Sequence, residues 1–113
     1  MPSNQTPLNT FRTLAYKIPA VELSLDAVPA GITRIILGAQ ASNPSTATIS
    51  VTFTLRKNSI DYLILKDYQI PPNDAADLIA GKLILEQGCS LKIQASVDNV
   101  SDLILSVLDT SNE

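Results

Sequence analysis

Between Lys82 and Val97 two apolar-rich runs flank Gln87-Gly88, and the second run alternates strictly. Leu91, Ile93, Ala95 and Val97 share one face, while Lys92, Gln94, Ser96 and Asp98 share the other. A period of two is that of a strand with one side in a core and one in water, so this stretch reads as a β-hairpin turning at Gln87-Gly88. The same grammar recurs from Thr46 to Lys57, where Ala47, Ile49, Val51, Phe53 and Leu55 oppose Thr46, Thr48, Ser50, Thr52, Thr54 and Arg56. The threonine row suits a solvated pleated surface better than an ice- or ligand-binding one. Lys57-Asn-Ser59 is the expected turn into a paired strand from Ile60 to Lys66.

Upstream, Thr13 to Ile18 and Val21 to Leu25 are short extended candidates, kept at a sheet edge or bend by Pro19. Asp26-Ala-Val-Pro-Ala-Gly31 connects them to a longer candidate, Ile32 to Ala41, which Ser42-Asn-Pro-Ser45 breaks. Downstream, Pro71-Pro-Asn-Asp74 is a rigid loop, and Asp74 to Ile79 is either one helical turn or extended, since its length forbids a substantial helix. After the turn at Asp98 to Ser101 comes a last strand, Asp102 to Asp109. Leu103, Leu105 and Val107 face one way, but Ile104 and Leu108 make the other side apolar too. Small sandwiches seldom cover a strand twice, so that second side is expected at a subunit interface.

Residues 1 to 10 lack periodicity and contain Pro2 and Pro7. They read as an extended arm, either frayed or ordered against a neighbouring subunit with Leu8 and Phe11 as anchors. The division expected is an arm over 1–12 and one domain over 13–113. About seven or eight short strands with turns every eight to twelve residues make that domain all-β, a single antiparallel β-sandwich. Periodicity leaves jelly-roll-like and immunoglobulin-like strand orders equally open.

Composition narrows the chemistry. A chain of 113 residues is one domain. Two phenylalanines, three tyrosines and no tryptophan make the core aliphatic. The charge of −3 comes with scattered basic residues, Arg12, Lys17, Arg34, Arg56, Lys57, Lys66, Lys82 and Lys92, and no stripe to track phosphates. Direct nucleic-acid binding is not expected. With no histidine, Ser-His and Cys-His catalysis is absent, and the lone Cys89 has neither a disulfide partner nor companion metal ligands. Asp74 and Asp77 lack the oxygen-ligand spacing and glycine pattern of a calcium loop and read as solvated acids. The four glycines build no phosphate cradle. No secretory leader or membrane-spanning run is expected, and no cofactor. Function is therefore expected in surfaces rather than in a reactive site.

Three segments carry a resemblance: Asp61-Tyr-Leu-Ile-Leu-Lys-Asp-Tyr-Gln-Ile-Pro71, Leu78-Ile-Ala-Gly-Lys-Leu-Ile-Leu-Glu-Gln-Gly88 and Leu91-Lys-Ile-Gln-Ala-Ser96. In this order they resemble the small virion structural proteins of tailed bacteriophages. The likeness covers under half the chain and consists of turn and strand signatures; Cys89 stands where the pattern commonly has Asp after Gly. It implies a non-enzymatic β-sandwich on the capsid surface, made in the host cytoplasm: a decoration or cement protein, commonly a homotrimer, with the major capsid protein as partner. Weak contacts repeated over many shell subunits would strengthen the shell by multivalency. Leu8, Phe11, Ile104 and Leu108 are the residues expected at intersubunit contacts. A neck, tail or fibre-associated component is the nearest alternative. A carbohydrate- or receptor-binding sandwich using Tyr16, Tyr62 and Tyr68 is another.

Overall fold

The computed structural model describes residues 9–111. Among the described residues nine strands follow one another: β1 (Asn9–Lys17), β2 (Leu23–Ser24), β3 (Ile32–Asn43), β4 (Ile49–Lys57), β5 (Ile60–Ile70), β6 (Asp74–Asp77), β7 (Leu83–Leu85), β8 (Ser90–Ala95) and β9 (Asp102–Ser111). All pairings are antiparallel and fall into two sheets. One has the order β1-β9-β3-β6, with β7 also on β3; the other has the order β2-β8-β4-β5.

The pairs are nested. β4 and β5 form a local hairpin, β3 pairs back with β6 and β7, β2 with β8, and the first strand with the last. A long antiparallel ribbon rolled so that its successive pairs alternate between two sheets is the jelly roll, which selects between the two strand orders that periodicity left open. An immunoglobulin order, with A, B, E and D in one sheet, does not pair first strand with last.

The hairpin between β4 and β5 forms at the expected place. Asn58 and Ser59 link the register pair Lys57 and Ile60 with φ of 54° and 64°, the two positive values of a type I′ turn. The stretch around Gln87-Gly88 differs from expectation. β7 pairs with β3, whereas β8 pairs with β2 and β4, so the turn carries the chain from one sheet to the other instead of closing a hairpin. Gly88, at φ 85°, donates its N–H to the Val28 carbonyl at 2.9 Å, and Val28 N–H donates to the Cys89 carbonyl at 2.9 Å. The turn is thus tied to the β2-β3 connection. Strict alternation places Leu91, Ile93 and Ala95 correctly in the core, but Val97, expected with them, lies past the end of β8 and is 42% exposed, and alternation does not name the partner strand.

Asp74–Asp77 is extended on the edge of β3, not a helical turn. β1 begins at Asn9, so Asn9 to Arg12, read as part of an arm, pair with β9 from Thr110 to Val107. The core is aliphatic around one buried ring: Phe53 packs with Ile18, Ile36, Ile49, Val51, Ile93, Leu103, Leu105 and Val107. Cys89 joins it as a small buried residue. β3 carries a bulge between Ile36 and Gly38 that reverses its parity. Ile36 is buried before the bulge, and Ala39, Ala41 and Asn43 are buried after it. On β4 the threonine face is drier than expected, because Thr54 is buried, while Thr46 and Thr48 precede the strand.

Candidate interaction face

The two sheets turn different outer faces to the surroundings. On the β2-β8-β4-β5 sheet the outward positions Ser50, Thr52, Arg56, Lys92, Gln94 and Ser96 are polar, with Leu63 of β5, 60% exposed, the apolar exception at the edge. Charges run across them in a ladder: Arg56 to Asp61 at 2.7 Å, Lys92 to Asp61 at 3.1 Å and Lys92 to Glu22 at 3.3 Å. Lys92, then Arg56, hold the Asp61 carboxyl below its usual range. This is a hydrated surface, where such pairs contribute little individually.

The β1-β9-β3 sheet is the opposite. Its register places Phe11 beside Leu108, Leu108 beside Ile35, and Ile35 beside Ile84, so one apolar side chain from each of β1, β9, β3 and β7 lines up on the outward side. With strands about 4.8 Å apart the row spans roughly 14 Å. Phe11 is 73% exposed and Ile84 62%, with Leu108 and Ile35 half-buried between them. Two pairs further along, Ala15 lies beside Ile104, itself 41% exposed. Thr13, Ser106 and Gly38 separate the two apolar stretches with small groups, and the bulge residue Leu37 joins Phe11, Thr13 and Ser106 in lining a shallow groove. At the rim Lys17 pairs with Asp102 at 2.8 Å. These side chains make the outer face of this sheet the candidate interaction surface.

Three of the four residues expected at an interface, Phe11, Ile104 and Leu108, therefore share this face; Leu8 lies outside the described residues. Among the described residues no second layer covers the other side of β9, where Ile104 is 41% exposed. Ile35, Leu37 and Ile84 belong to the face but escaped the sequence reading. The signal was present in β3, where Ile35 and Leu37 make the second parity apolar just as Ile104 and Leu108 do in β9. The bulge, invisible in the pattern, hid which parity was inward.

The other candidates do not assemble. Asp74 and Asp77 are three positions apart on one strand and so point to opposite faces, and the Asp74 carboxylate accepts the Ala75 N–H at 2.8 Å. Tyr16 is on β1, at one margin of the sandwich, whereas Tyr62 and Tyr68 are on β5, which contacts β6 at the other margin. Among the described residues no group of three or more His, Cys, Asp or Glu is placed to hold a metal ion.

No family model matches the chain, and no curated protein does. Solved structures do. A chain of the T13 viral particle of infectious bursal disease virus superposes with a TM-score of 0.54 at 10% identity, over 91% of this chain and 31% of that one. A chain of the VP2 subviral particle of the same virus gives a TM-score of 0.43 at 11% identity, over 92% and 33%. The present chain thus spans about a third of the length of the viral chains it resembles. At such identity the likeness to the T13 particle chain is one of fold alone.

Proposed function

We propose that this protein is a non-enzymatic structural component of a virus particle, a decoration protein of a tailed-phage capsid that binds the major capsid protein at the shell surface after synthesis in the host cytoplasm. The observation that carries the reading is the outward apolar row Phe11-Leu108-Ile35-Ile84, aligned across four strands, where the opposite sheet carries a ladder of ion pairs. The jelly-roll likeness to a chain of a viral particle supports it, as does the resemblance of three segments to phage virion proteins.

A single face of this size binds weakly. Repeated over a shell it acts by multivalency, so many shallow apolar contacts strengthen the whole without any one being tight. The β2-β8-β4-β5 face, with its ion ladder, would then remain toward solvent.

The test is cosedimentation of the purified protein with undecorated shells. Phe11→Lys combined with Ile84→Lys places two charges at the ends of the row, on side chains already exposed, so folding is expected to survive. Shell affinity is expected to fall at least tenfold, in line with the loss of an aromatic anchor. Wild-type and variant protein sedimenting alike with shells would remove this face from the function. Binding to isolated necks or tails, with none to shells, would move the protein to that part of the particle.

A further inference from the structure

The two sheets leave their edges in very different condition. β5, eleven residues long, is interrupted twice: Lys66 and Asp67 oppose the single Thr52, and Ile64 is an extra residue between the pairs of Phe53 and Thr54. Asp67 has φ of 50°, and Asp61, Lys66 and Asp67 add charge along the strand. The far edge of the other sheet is broken into β6 and β7, with Leu78 to Lys82 between them. Bulges, charges and short pieces are the devices by which proteins keep sheet edges from pairing.

β1 is neither bulged nor broken, and its charges are limited to Arg12 and the terminal Lys17, which pair with Asp109 and Asp102 of β9. Its nine residues pair with β9 in unbroken register from Asn9 to Lys17, without bulge, proline or positive φ. Among the described residues no strand pairs with its other side. A regular, unbroken edge offers a row of main-chain donors and acceptors to a further strand.

We infer that β1 pairs antiparallel with β1 of a second copy about a two-fold axis at Thr13, joining two β1-β9-β3 sheets into one continuous sheet. Thr13 is the midpoint of the described part of β1, so this register uses all nine described residues and sets Asn9 opposite Lys17, Thr10 opposite Tyr16, Phe11 opposite Ala15 and Arg12 opposite Leu14. No like charges face each other. Faces are kept, because the axis is perpendicular to the sheet. Phe11 of each copy therefore abuts Ala15 of the other, and the row Ile84-Ile35-Leu108-Phe11 of one copy runs on into Ala15 and Ile104 of the next. The strand pair adds about eight to ten main-chain hydrogen bonds. The two-fold pair differs from the three copies implied by the phage resemblance, and it does not depend on shell binding.

Sizing by light scattering, together with Thr13→Cys and Thr13→Lys variants of the full chain, tests the pairing. Thr13 is exposed in the single chain, and Cys89 is buried. Across an antiparallel pair the two Cα atoms at the axis lie about 4.5–5.5 Å apart, within disulfide range. Expected are a mass of two chains, a disulfide-linked dimer of Thr13→Cys under mild oxidation, and a dimer weakened at least tenfold in Thr13→Lys with an unchanged circular dichroism spectrum. Leu63→Cys, on the bulged β5 edge and 60% exposed, is expected to cross-link far more slowly. A monomeric or three-chain mass, or cross-linking of Leu63→Cys as fast as Thr13→Cys, would overturn the inference.

Discussion

Replacing Asn43 by alanine is expected to lower stability by about 3 kcal/mol, and replacing it by aspartate by more. Asn43 ends β3 with its side chain 1% exposed. Its Nδ2 donates to the carbonyls of Ala47 at 2.8 Å, Ile70 at 2.9 Å and Pro71 at 3.1 Å, and its Oδ1 accepts from Ser45 N–H at 3.0 Å and Ser45 Oγ–H at 2.7 Å. One amide thus joins the end of β3, the β3-β4 connection and the end of β5. Alanine leaves those carbonyls without their donor where water is largely excluded, at about 1–3 kcal/mol for each group left unpaired. Aspartate keeps the shape but cannot donate when ionised, and it sets a negative charge against three carbonyl oxygens. Thermal melts at neutral pH give the order wild type, Asn43→Ala, Asn43→Asp. For a domain with total stability of roughly 5–15 kcal/mol, the aspartate variant is expected at or near unfolding at 37 °C. Equal melting temperatures for all three would show that the clamp contributes nothing. Because protonation restores a donor, mild acid should narrow the gap between the two variants.

How legible this fold was depends on the kind of information each feature needs. Alternation in Leu91, Ile93 and Ala95, or in Ile49, Val51 and Phe53, is local, and each of these side chains is buried as the pattern requires. The Asn58-Ser59 turn is local too, and its chemistry names its own geometry. Strand partnership is not local. Nothing in Lys82 to Val97 distinguishes a hairpin from two strands in different sheets, because the turn at Gln87-Gly88 is set by bonds to Val28 and, from Gly31 N–H, to the Gln87 side chain. The same limit applies to the interaction face. Its β9 residues were readable because an apolar second parity is a one-strand signal. Its row, however, exists only because Phe11, Leu108, Ile35 and Ile84 come from four strands widely separated in sequence. Asn43 looked like part of a turn, and it is one; that it also holds the end of β5 follows only from topology.

The asymmetry of the sandwich ties these elements to function. Ion pairs cross the outer face of the β2-β8-β4-β5 sheet, whereas the apolar row lies on the other. Exposed apolar side chains also occur at Val21, Ile60, Tyr62, Leu63, Tyr68 and Val97, so what sets the row apart is that its register aligns four apolar side chains across four strands. Charge on the apolar sheet is turned inward instead. Arg34 and Asp109 are register partners on the core side of β3 and β9, and Arg12 approaches the same carboxylate from β1.

Asp109→Asn is expected to cost about 2–3 kcal/mol at pH 7, and that difference should shrink progressively as pH falls below about 4. The Arg34 guanidinium grips the carboxylate with two bonds, Nε to Oδ1 at 2.7 Å and a terminal nitrogen to Oδ2 at 3.0 Å, with side chains only 11% and 12% exposed. Arg12 adds a longer contact at 3.6 Å. The Arg34 hydrogen bonds hold the Asp109 carboxyl below its ordinary range, against the opposing effect of partial burial, with further attraction from Arg34 and Arg12. Asp109 in turn raises Arg34, which stays charged at every working pH. The sign follows from linkage. A carboxyl whose folded pKa is depressed stabilises the fold above its unfolded value, near 3.9, and loses that contribution as pH falls through the folded value. Asparagine keeps the volume but removes the charge, leaving Arg34 half-paired beside Leu14, Tyr16 and Leu85. The exposed carboxyls Asp61 and Glu86 are also depressed, by Lys92 with Arg56 and by Lys57 respectively, but they are common to both proteins and cancel in the difference. Urea unfolding of wild type and variant between pH 7 and pH 3 measures it. Curves that converge below pH 4 identify the pair as an ionised strut across the β3-β9 seam, whereas a constant offset would mean that Asp109 acts through shape and hydrogen bonding alone.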